Sequence, residues 1–254
     1  ERVPGGGQCR KGDADLRAGI GSLPSRAGLV VLVMDSTTLC ERYRLLYLGV
    51  VCDAMYELGL DEPVLPSYLR PLFPEQRVVG VAHTVLGRSI DPWVSWADGV
   101  ERIASYLRVF EELGPDSVLV SVNPGSSVGH FGELTGNAAQ QKGCVGVVLD
   151  GNLRDVEGLR DIGFPVFFRD LSPLNAIGRW EMVGHQVAVD IGGVTVHPGD
   201  LVFGEFEGIL VVPGNLASKV LVKAEEIVAA EARVRDEVQA GATPIESFER
   251  HGHI

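Results

Sequence analysis

The chain has 254 residues, of which 45% are hydrophobic, and its formal net charge is −12. This length and apolar content are enough for one substantial domain with a buried core, and they argue against a disordered chain. The acidic balance disfavours a general nucleic-acid binder, because phosphate contacts need clustered Lys and Arg. No apolar run is long enough for a membrane span, so no membrane partner is expected.

The cysteine pattern favours a reducing compartment. Cysteines stand at positions 9, 40, 52 and 144, without a CxxC pair or a zinc-type spacing. We therefore expect reduced thiols in a cytoplasmic protein, with Cys144 as a small core residue.

Residues 1–33 differ from the rest of the chain. Residues 1–28 are rich in Gly and Arg without sustained periodicity, which predicts a disordered N-terminal extension over 1–33. The apolar run 28–33 is too short for a secretory segment. We hypothesise that Met34 is the native start, and mass spectrometry of the natively expressed protein tests it. A mature N-terminus before Met34 would contradict the hypothesis.

Helical and strand patterns alternate over the next hundred residues. Apolar spacing and capping residues predict helices at 35–46, with Ser36 or Thr37 as the cap, and at 50–59 and 98–113. The third of these carries an apolar stripe of Val100, Ile103, Leu107 and Phe110. Runs of β-branched residues predict strands at 77–85 and 117–122, and a glycine-rich loop follows at 123–129.

The stretch 132–155 has the densest set of potential functional groups. It is predicted to form a loop, a helix, a buried strand and a turn, with Glu133 near one end and Arg154–Asp155 near the other. A βαβ-type step returns the chain to the same edge of a sheet, so these ends are expected to meet. A loop that opens a helix offers N–H groups to an anion, an arginine can clamp a carboxylate, and an aspartate can hold a divalent cation.

Each part of this stretch also has an ordinary interpretation. The loop can simply precede a helix, Glu133 can be a first-turn acid favoured by the helix dipole, and Arg154–Asp155 can be a surface ion pair. Their combination in one block favours the functional interpretation, which is a site for a small anionic molecule that chelates a metal.

The C-terminal part mixes short elements with one long helix. A short helix carrying Leu159, a strand at 165–168, an irregular connection at 171–182 and short strands up to Val212 are expected. The pattern predicts an α/β fold in which a sheet is layered with helices. A last helix runs from near Asn215 to Gly241, and residues 242–254 are predicted to form a C-terminal tail.

The last helix places an acid on its apolar stripe. The stripe contains Leu216, Val220, Ala224, Ile227, Val234 and Val238, and Glu231 falls within it. An acid on an apolar face needs a partner or a function. Glu231 is therefore expected either to snorkel or pair with Arg235 at i+4, or to serve a site.

The stretch 132–155 resembles the signature of the RraA-like family. That family includes class II pyruvate aldolases acting on 4-hydroxy-4-methyl-2-oxoglutarate and 4-carboxy-4-hydroxy-2-oxoadipate. The acid, the twenty-residue interval and the Arg-Asp pair are all present, and blocks at 78–85 and 196–213 match in kind. The resemblance implies a single-domain α/β/β/α swivelling-type sandwich over residues 34–241. It also implies a homotrimer, or a hexamer of two trimers, with the active site at a subunit interface.

The resemblance also implies roles for individual residues. Asp155 would bind Mg²⁺ or Mn²⁺, and Arg154 would contact a small 2-oxo acid substrate. The backbone amides from Gly132 through Glu133 and Leu134 to Thr135 would hold the substrate carboxylate.

Two acids have implied catalytic roles. Glu133 would act on water at the cation, as an orienting group or a base. Glu231 would reach the active site of the neighbouring subunit.

The implied reaction is a retro-aldol cleavage of a 4-hydroxy-2-oxo acid that releases pyruvate. Oxaloacetate decarboxylation is the expected side reaction, because it passes through the same enolate. The alternative is a regulator, since the family also contains proteins that bind and inhibit ribonuclease E. Asp155 favours the enzyme, because a pure binding protein needs no metal ligand beside an arginine.

Three positions carry further expectations. Family aldolases often have an acid four positions after the arginine, where this chain has Gly158, with Glu157 one position earlier. Adjacent helical residues point about 100° apart, so Glu157 is a poor substitute and the departure weighs against efficient aldolase activity or its usual substrate. His130 can line the site, although such a loop histidine is more often exposed, and His83 is expected to be structural.

Overall fold

The computed structural model describes residues 34–252. The predicted extension at residues 1–33 lies outside this range, so that prediction remains untested. The helices are α1 (Ser36–Tyr43), α2 (Leu48–Glu57), α3 (Trp96–Glu112), α4 (Glu133–Gln141), α5 (Val156–Ile162), α6 (Ala217–Gln239) and α7 (Pro244–His251). The strands are β1 (Arg70–Pro71), β2 (Val78–Ser89), β3 (Ser117–Val122), β4 (Gly129–Phe131), β5 (Gly146–Leu153), β6 (Val166–Leu171), β7 (Trp180–His185), β8 (Val189–Ile191), β9 (Val194–Val196), β10 (Leu201–Glu205) and β11 (Gly208–Val212).

Most strands join one mixed sheet in the order β1–β6–β5–β3–β2–β10–β11. Strands β2, β3, β5 and β6 run parallel, because α3, α4 and α5 carry the chain back between them. The short β4 pairs with β5, and β7 pairs antiparallel to β2. Strands β10 and β11 continue the sheet antiparallel, and β8 pairs with β9 in a separate hairpin.

The two-residue periodicity of the strands divides the core into layers. On β3, Leu119 packs toward α3–α5, whereas Val118 and Val120 face an inner cluster shared with β10 and β11. On β11 the same inner cluster receives Ile209 and Val211, while Leu210 and Val212 face α1, α2 and α6. Because successive side chains point to opposite faces, each half of the sheet is apolar on both sides. The result is the expected α/β/β/α arrangement.

Most predicted elements are confirmed, with differences at their ends. Asp35 caps α1 through its side chain, instead of Ser36 or Thr37. The glycine-rich loop already ends at β4, and the predicted irregular connection ends in β7. Strands as short as these carry too little periodicity to be recognised.

The core face of α3 is not centred where the sequence predicted it. Its buried residues include Ile103, Tyr106 and Phe110, whereas Val100 and Leu107 are about half exposed. Tyr106 belongs to this core face because its ring is largely apolar. The predicted stripe did not include it.

The C-terminal segment contains α7, which packs on α6. Glu237 of α6 accepts hydrogen bonds from Ser247 and Arg250 at 3.0 Å and contacts His251 at 2.9 Å. None of the helices within residues 34–252 combines the length and the apolar character needed to span a bilayer.

Candidate active site

The two ends of the stretch 132–155 meet at the edge of the parallel sheet. Strand β4 pairs with the end of β5, and the Arg154 amide donates to the Phe131 carbonyl at 3.0 Å. Helix α4 then begins one residue after Gly132, and α5 begins one residue after Asp155. A Cβ atom at position 132 would lie 2.4 Å from Asp155 Oδ2 and 2.9 Å from Arg154 Cγ. This close approach requires glycine at position 132.

Asp155 adopts a backbone conformation that is uncommon for a residue with a side chain. Its φ of 58° and ψ of 45° are left-handed, a region that Asp and Asn tolerate better than most residues. Although it precedes α5, its carboxylate makes no capping hydrogen bond to that helix. Arg154 Nε instead donates to its Oδ1 at 3.1 Å. The carboxylate therefore lies between Arg154 and Gly132, with 41% of the side chain exposed.

The first turn of α4 supplies backbone donors to the same region. Thr135 Oγ1 accepts from the Gly132 amide and donates to the Gly132 carbonyl, both at 2.9 Å. The next amides, at Glu133, Leu134 and Thr135, begin the helix and have no intrahelical acceptor. A helix start of this kind attracts anions, since its N–H groups and the helix dipole act together.

A cleft of about 280 Å³ joins these groups. Its lining from the stretch 132–155 consists of Gly132, Leu134, Thr135, Arg154 and Asp155. The remaining lining, mostly apolar, consists of Ile103, Tyr106, Leu107, Gly129, His130, Phe131, Asn175, Ala176 and Ile177. An apolar cleft with one cation, one carboxylate and free amides fits a small anionic ligand.

Larger cavities lie elsewhere, but their chemistry is weaker. One of them, of about 630 Å³, surrounds the Pro198–Gly199 turn. Its carboxylate, Asp200, is already occupied by the amides of His197 and Gly214 at 2.8 and 2.9 Å. The smaller cleft at Arg154 is therefore the better candidate.

The family assignment follows from this site and from sequence. The family described as "RraA-like: Aldolase/RraA" matches residues 49–211, a range that contains the whole cleft-forming stretch. The chain belongs to the RraA-like family.

Several relatives show how far this likeness extends. This RraA-like protein is 28% identical over 162 residues to the "Putative 4-hydroxy-4-methyl-2-oxoglutarate aldolase" of Halalkalibacterium halodurans, covering 64% of this chain and 72% of the relative. It is 27% identical over 194 residues to protein DlpA of Legionella pneumophila, covering 76% of this chain but only 30% of DlpA. The Streptomyces coelicolor structure of RraAS2, "an unusual member of the RNase ES inhibitor RraA protein family", superposes with a TM-score of 0.68 at 27% identity, over 79% of this chain and 97% of RraAS2.

Glu133 does not line the cleft of this RraA-like protein. Asn137 Nδ2 donates to Glu133 Oε1 at 2.5 Å, one turn along α4. The Glu133 side chain crosses over Gly158 of α5, where an added Cβ would lie 2.5 Å from Glu133 Cγ. The glycine that departs from the usual family acid thus makes room for the stem of Glu133.

Glu231 also lies away from the cleft within the chain. It is on α6, which belongs to the helical layer formed with α1 and α2, whereas the cleft adjoins α3–α5. The expected partner Arg235 is not the group that binds it, because the Tyr47 hydroxyl donates to Glu231. Burial of the hydroxyl, and then the contact with Glu231, raise the pKa of Tyr47.

His130 is buried and lines the cleft, as one of its two expected placements had it, and the alternative of an exposed loop histidine was wrong. Its Nε2 lies 2.8 Å from Ser121 Oγ, and its Nδ1 lies 3.3 Å from Asn123 Nδ2. The ring stacks on Trp180 with centroids 4.7 Å apart. Burial lowers the pKa of His130 to about 3, and the side chain is therefore neutral near pH 7.

Other wall residues were missed by sequence reasoning. Tyr106 and Ile177 come from segments far from the signature, and only folding brings them to the cleft. The Tyr106 hydroxyl is buried without a hydrogen-bond partner among the described residues. An amphipathic helix pattern can indicate that Tyr106 is buried, but it carries no signal that the residue borders a ligand site.

Proposed function

We propose that this RraA-like protein is a divalent-metal-dependent lyase that cleaves a 4-hydroxy-2-oxo acid to pyruvate. The observation that carries the proposal is the meeting of Arg154, Asp155 and the first turn of α4 in one cleft. The aldolase name of the Halalkalibacterium relative supports the reaction class. The proposed substrate is of the 4-hydroxy-4-methyl-2-oxoglutarate type, with oxaloacetate decarboxylation as a side reaction and the cytoplasm as the location.

The donor set at Asp155 fits Mg²⁺ or Mn²⁺. Its carboxylate offers hard oxygen ligands and is not used as a helix cap. One protein carboxylate suits Mg²⁺, which keeps several waters and binds substrate oxygens in its remaining positions. When bound, the cation would supply Lewis-acid stabilisation of negative charge on the substrate keto oxygen.

The protein groups then have distinct tasks in the proposed reaction. The α4 amides hold the substrate carboxylate, and Arg154 donates to the keto oxygen, where negative charge grows. The substrate C4 hydroxyl gives up its proton to the base as the C3–C4 bond breaks, so C4 leaves as the carbonyl carbon of the second product and the bonding electrons move into the pyruvate enolate. Protonation at C3 then yields pyruvate. Loss of CO₂ from oxaloacetate produces the same enolate.

Glu133 is the proposed base, acting through water, and Glu231 of a neighbouring subunit is proposed to complete the site. Glu133 is held by Asn137 outside the cleft, so its side chain would have to turn toward the cleft to act on water there. Glu231 lies in the other helical layer, which fits a contribution to a neighbour in a homotrimer or hexamer.

The proposal is tested by pyruvate release from 4-hydroxy-4-methyl-2-oxoglutarate and from oxaloacetate. Turnover is measured with Mg²⁺ or Mn²⁺ and then with EDTA, for wild type and Asp155→Asn. Asp161→Asn, at an exposed aspartate on the helix that follows Asp155, is the matched control. We expect EDTA and Asp155→Asn to abolish turnover and Asp161→Asn to preserve it. Metal binding without turnover on either substrate would redirect the proposal to another oxo acid.

A ribonuclease regulator is the second candidate function. It is favoured by the likeness to RraAS2, which is described as a member of the RNase ES inhibitor RraA protein family. Its test is cleavage of a labelled RNA by an E-type ribonuclease with increasing amounts of this protein. Inhibition that persists in Asp155→Asn, together with no metal binding and no oxo-acid turnover, would favour the regulator over the lyase.

A further inference from the structure

Two histidines and a glutamate converge at a place that the proposed lyase reaction does not use. His83 is on β2, His185 ends β7, and Glu112 ends α3. The two Nε2 atoms are 2.7 Å apart, and a Glu112 carboxylate oxygen lies 3.7 Å from His185 Nε2. One ligand atom from each residue falls within 4.8 Å of the others. The cluster is about 9 Å along α3 from Tyr106 of the cleft, because six residues separate the two positions.

The surroundings hold this cluster in place. Strands β2 and β7 pair directly, with Val85 opposite His185, so both histidines start from a rigid backbone. Behind the first ring, Gln186 Nε2 lies 3.1 Å from His83 Nδ1, and the Gln186 amide donates to the Thr84 carbonyl at 2.9 Å. A histidine that binds a cation through Nε2 carries its proton on Nδ1, so zinc binding requires the Gln186 amide to turn and present its oxygen to that nitrogen.

The cluster has one buried side and one side that faces solvent. His83 is buried. A neutral imidazole offers a lone pair to a cation. The Glu112 side chain is 58% exposed, so one side of the cluster opens to solvent and can admit an ion and a water ligand.

We infer that His83, His185 and Glu112 form a zinc site separate from the cleft at Asp155. Two imidazoles and a carboxylate, with a solvent position, are a ligand set that Zn²⁺ accepts in tetrahedral geometry. At Zn–N distances of about 2.0–2.1 Å, the two nitrogens would stand about 3.3 Å apart. The two nitrogens would therefore separate by about 0.6 Å from their present contact at 2.7 Å.

The site would add a direct link between α3 and the paired strands β2 and β7. Zn²⁺ would tie the C-terminal end of α3 to β2 and β7. The same helix contributes Ile103 and Tyr106 to the wall of the cleft. Because an ion that binds only the folded state raises its stability, zinc is expected to stabilise this wall.

The test is calorimetric titration of chelator-treated protein with Zn²⁺ alone. Wild type is expected to bind one Zn²⁺ per chain, and Glu112→Gln and His185→Gln to lose at least about tenfold in affinity. His197→Gln removes an exposed histidine elsewhere and is expected to bind normally. Asp155→Asn is also expected to bind normally, which separates this site from the proposed catalytic cation.

Two results would overturn the inference. Wild type that binds no Zn²⁺ would leave His83 and His185 as a hydrogen-bonded pair only. If the zinc affinity is unchanged in Glu112→Gln and His185→Gln, or is lost in Asp155→Asn, the ion binds at another site. Glu112→Gln keeps the test valid if His185→Gln fails to fold, because Glu112 is exposed. Co²⁺ titration adds an optical readout, since visible absorption of a tetrahedral histidine site should disappear in both ligand variants.

Discussion

The carboxylate of Asp155 lies against the backbone of Gly132, with its Oδ2 only 2.4 Å from the place where a Cβ of residue 132 would stand. The φ of Gly132 is −162°, which any residue can adopt, so glycine is needed here for space. This contact fixes the distance between the start of α4 and the Arg154–Asp155 pair. The proposed carboxylate-binding amides and the proposed metal ligand depend on it together.

Gly132→Ala is therefore expected to impair both stability and function. The added methyl must displace the carboxylate of Asp155 or the stem of Arg154, and overpacking of this kind costs about 1–3 kcal/mol. The change is measured as the free energy of unfolding in urea and as metal-dependent pyruvate release. Gly114→Ala is the matched control, because an added Cβ meets no atom within 4 Å there. Equal effects of the two substitutions would contradict the packing argument.

Glu133 and Gly158 are expected to be energetically coupled. An added Cβ at position 158 would lie 2.5 Å from Glu133 Cγ, so Gly158→Ala should destabilise the wild type. Glu133 Cβ would also lie 2.8 Å away, so both contacts are removed only in a Glu133→Gly background, where the same substitution should gain up to about 1 kcal/mol of helix propensity. A double-mutant cycle by urea unfolding measures the difference. Additive effects would show that Glu133 does not rest on Gly158.

His130 is expected to make stability depend on acid pH. Its pKa is lowered from 6.5 to about 3 in the folded chain, so the unfolded chain binds the proton more readily between these values. Protonation of His130 therefore costs no stability above about pH 6.5. Below that pH it lowers the free energy of unfolding by about 1.4 kcal/mol per pH unit, down to about pH 3. Urea unfolding between pH 4 and 7 measures the slope.

Comparison of variants isolates this contribution from that of carboxylates. Glu181 also has a lowered pKa, because Arg88 and Arg102 donate to it, and its effect is common to all variants. His130→Gln should show a shallower loss of stability on acidification than the wild type. His197→Gln, at an exposed position, should keep the wild-type slope. Identical slopes for wild type and His130→Gln would refute a buried neutral histidine.

Mixed oligomers test the proposed contribution of Glu231 to a neighbouring site. Asp155→Asn and Glu231→Gln are each expected to be inactive alone. When the two chains are co-expressed, some interfaces combine wild-type Asp155 from one chain with wild-type Glu231 from the other, so part of the pyruvate release should return. Differently tagged chains verify that mixed oligomers form. If these oligomers do not recover turnover, Glu231 has only its structural contact with Tyr47 and no role in a neighbouring site.

The local pattern of the sequence was sufficient for the main elements and for the grouping of the candidate site. Apolar periodicity reports which face of a strand or helix is buried, and it located β3, β5 and most of α6. The βα connections at 132–155 returned Gly132 and Asp155 to one edge, as right-handed crossovers do. Cys144 was correctly expected in the core.

Only the tertiary structure decided which distant residues complete each site. Residues such as Tyr106 and Ile177 reach the cleft from other segments, and the burial of His130 depends on Trp180, fifty positions later. His83 and His185 are a hundred residues apart and meet because β7 pairs with β2. Periodicity describes one element at a time, whereas these contacts depend on which strands pair and on which helix covers them. That choice is made by packing of the whole core, and it leaves no local pattern in the chain.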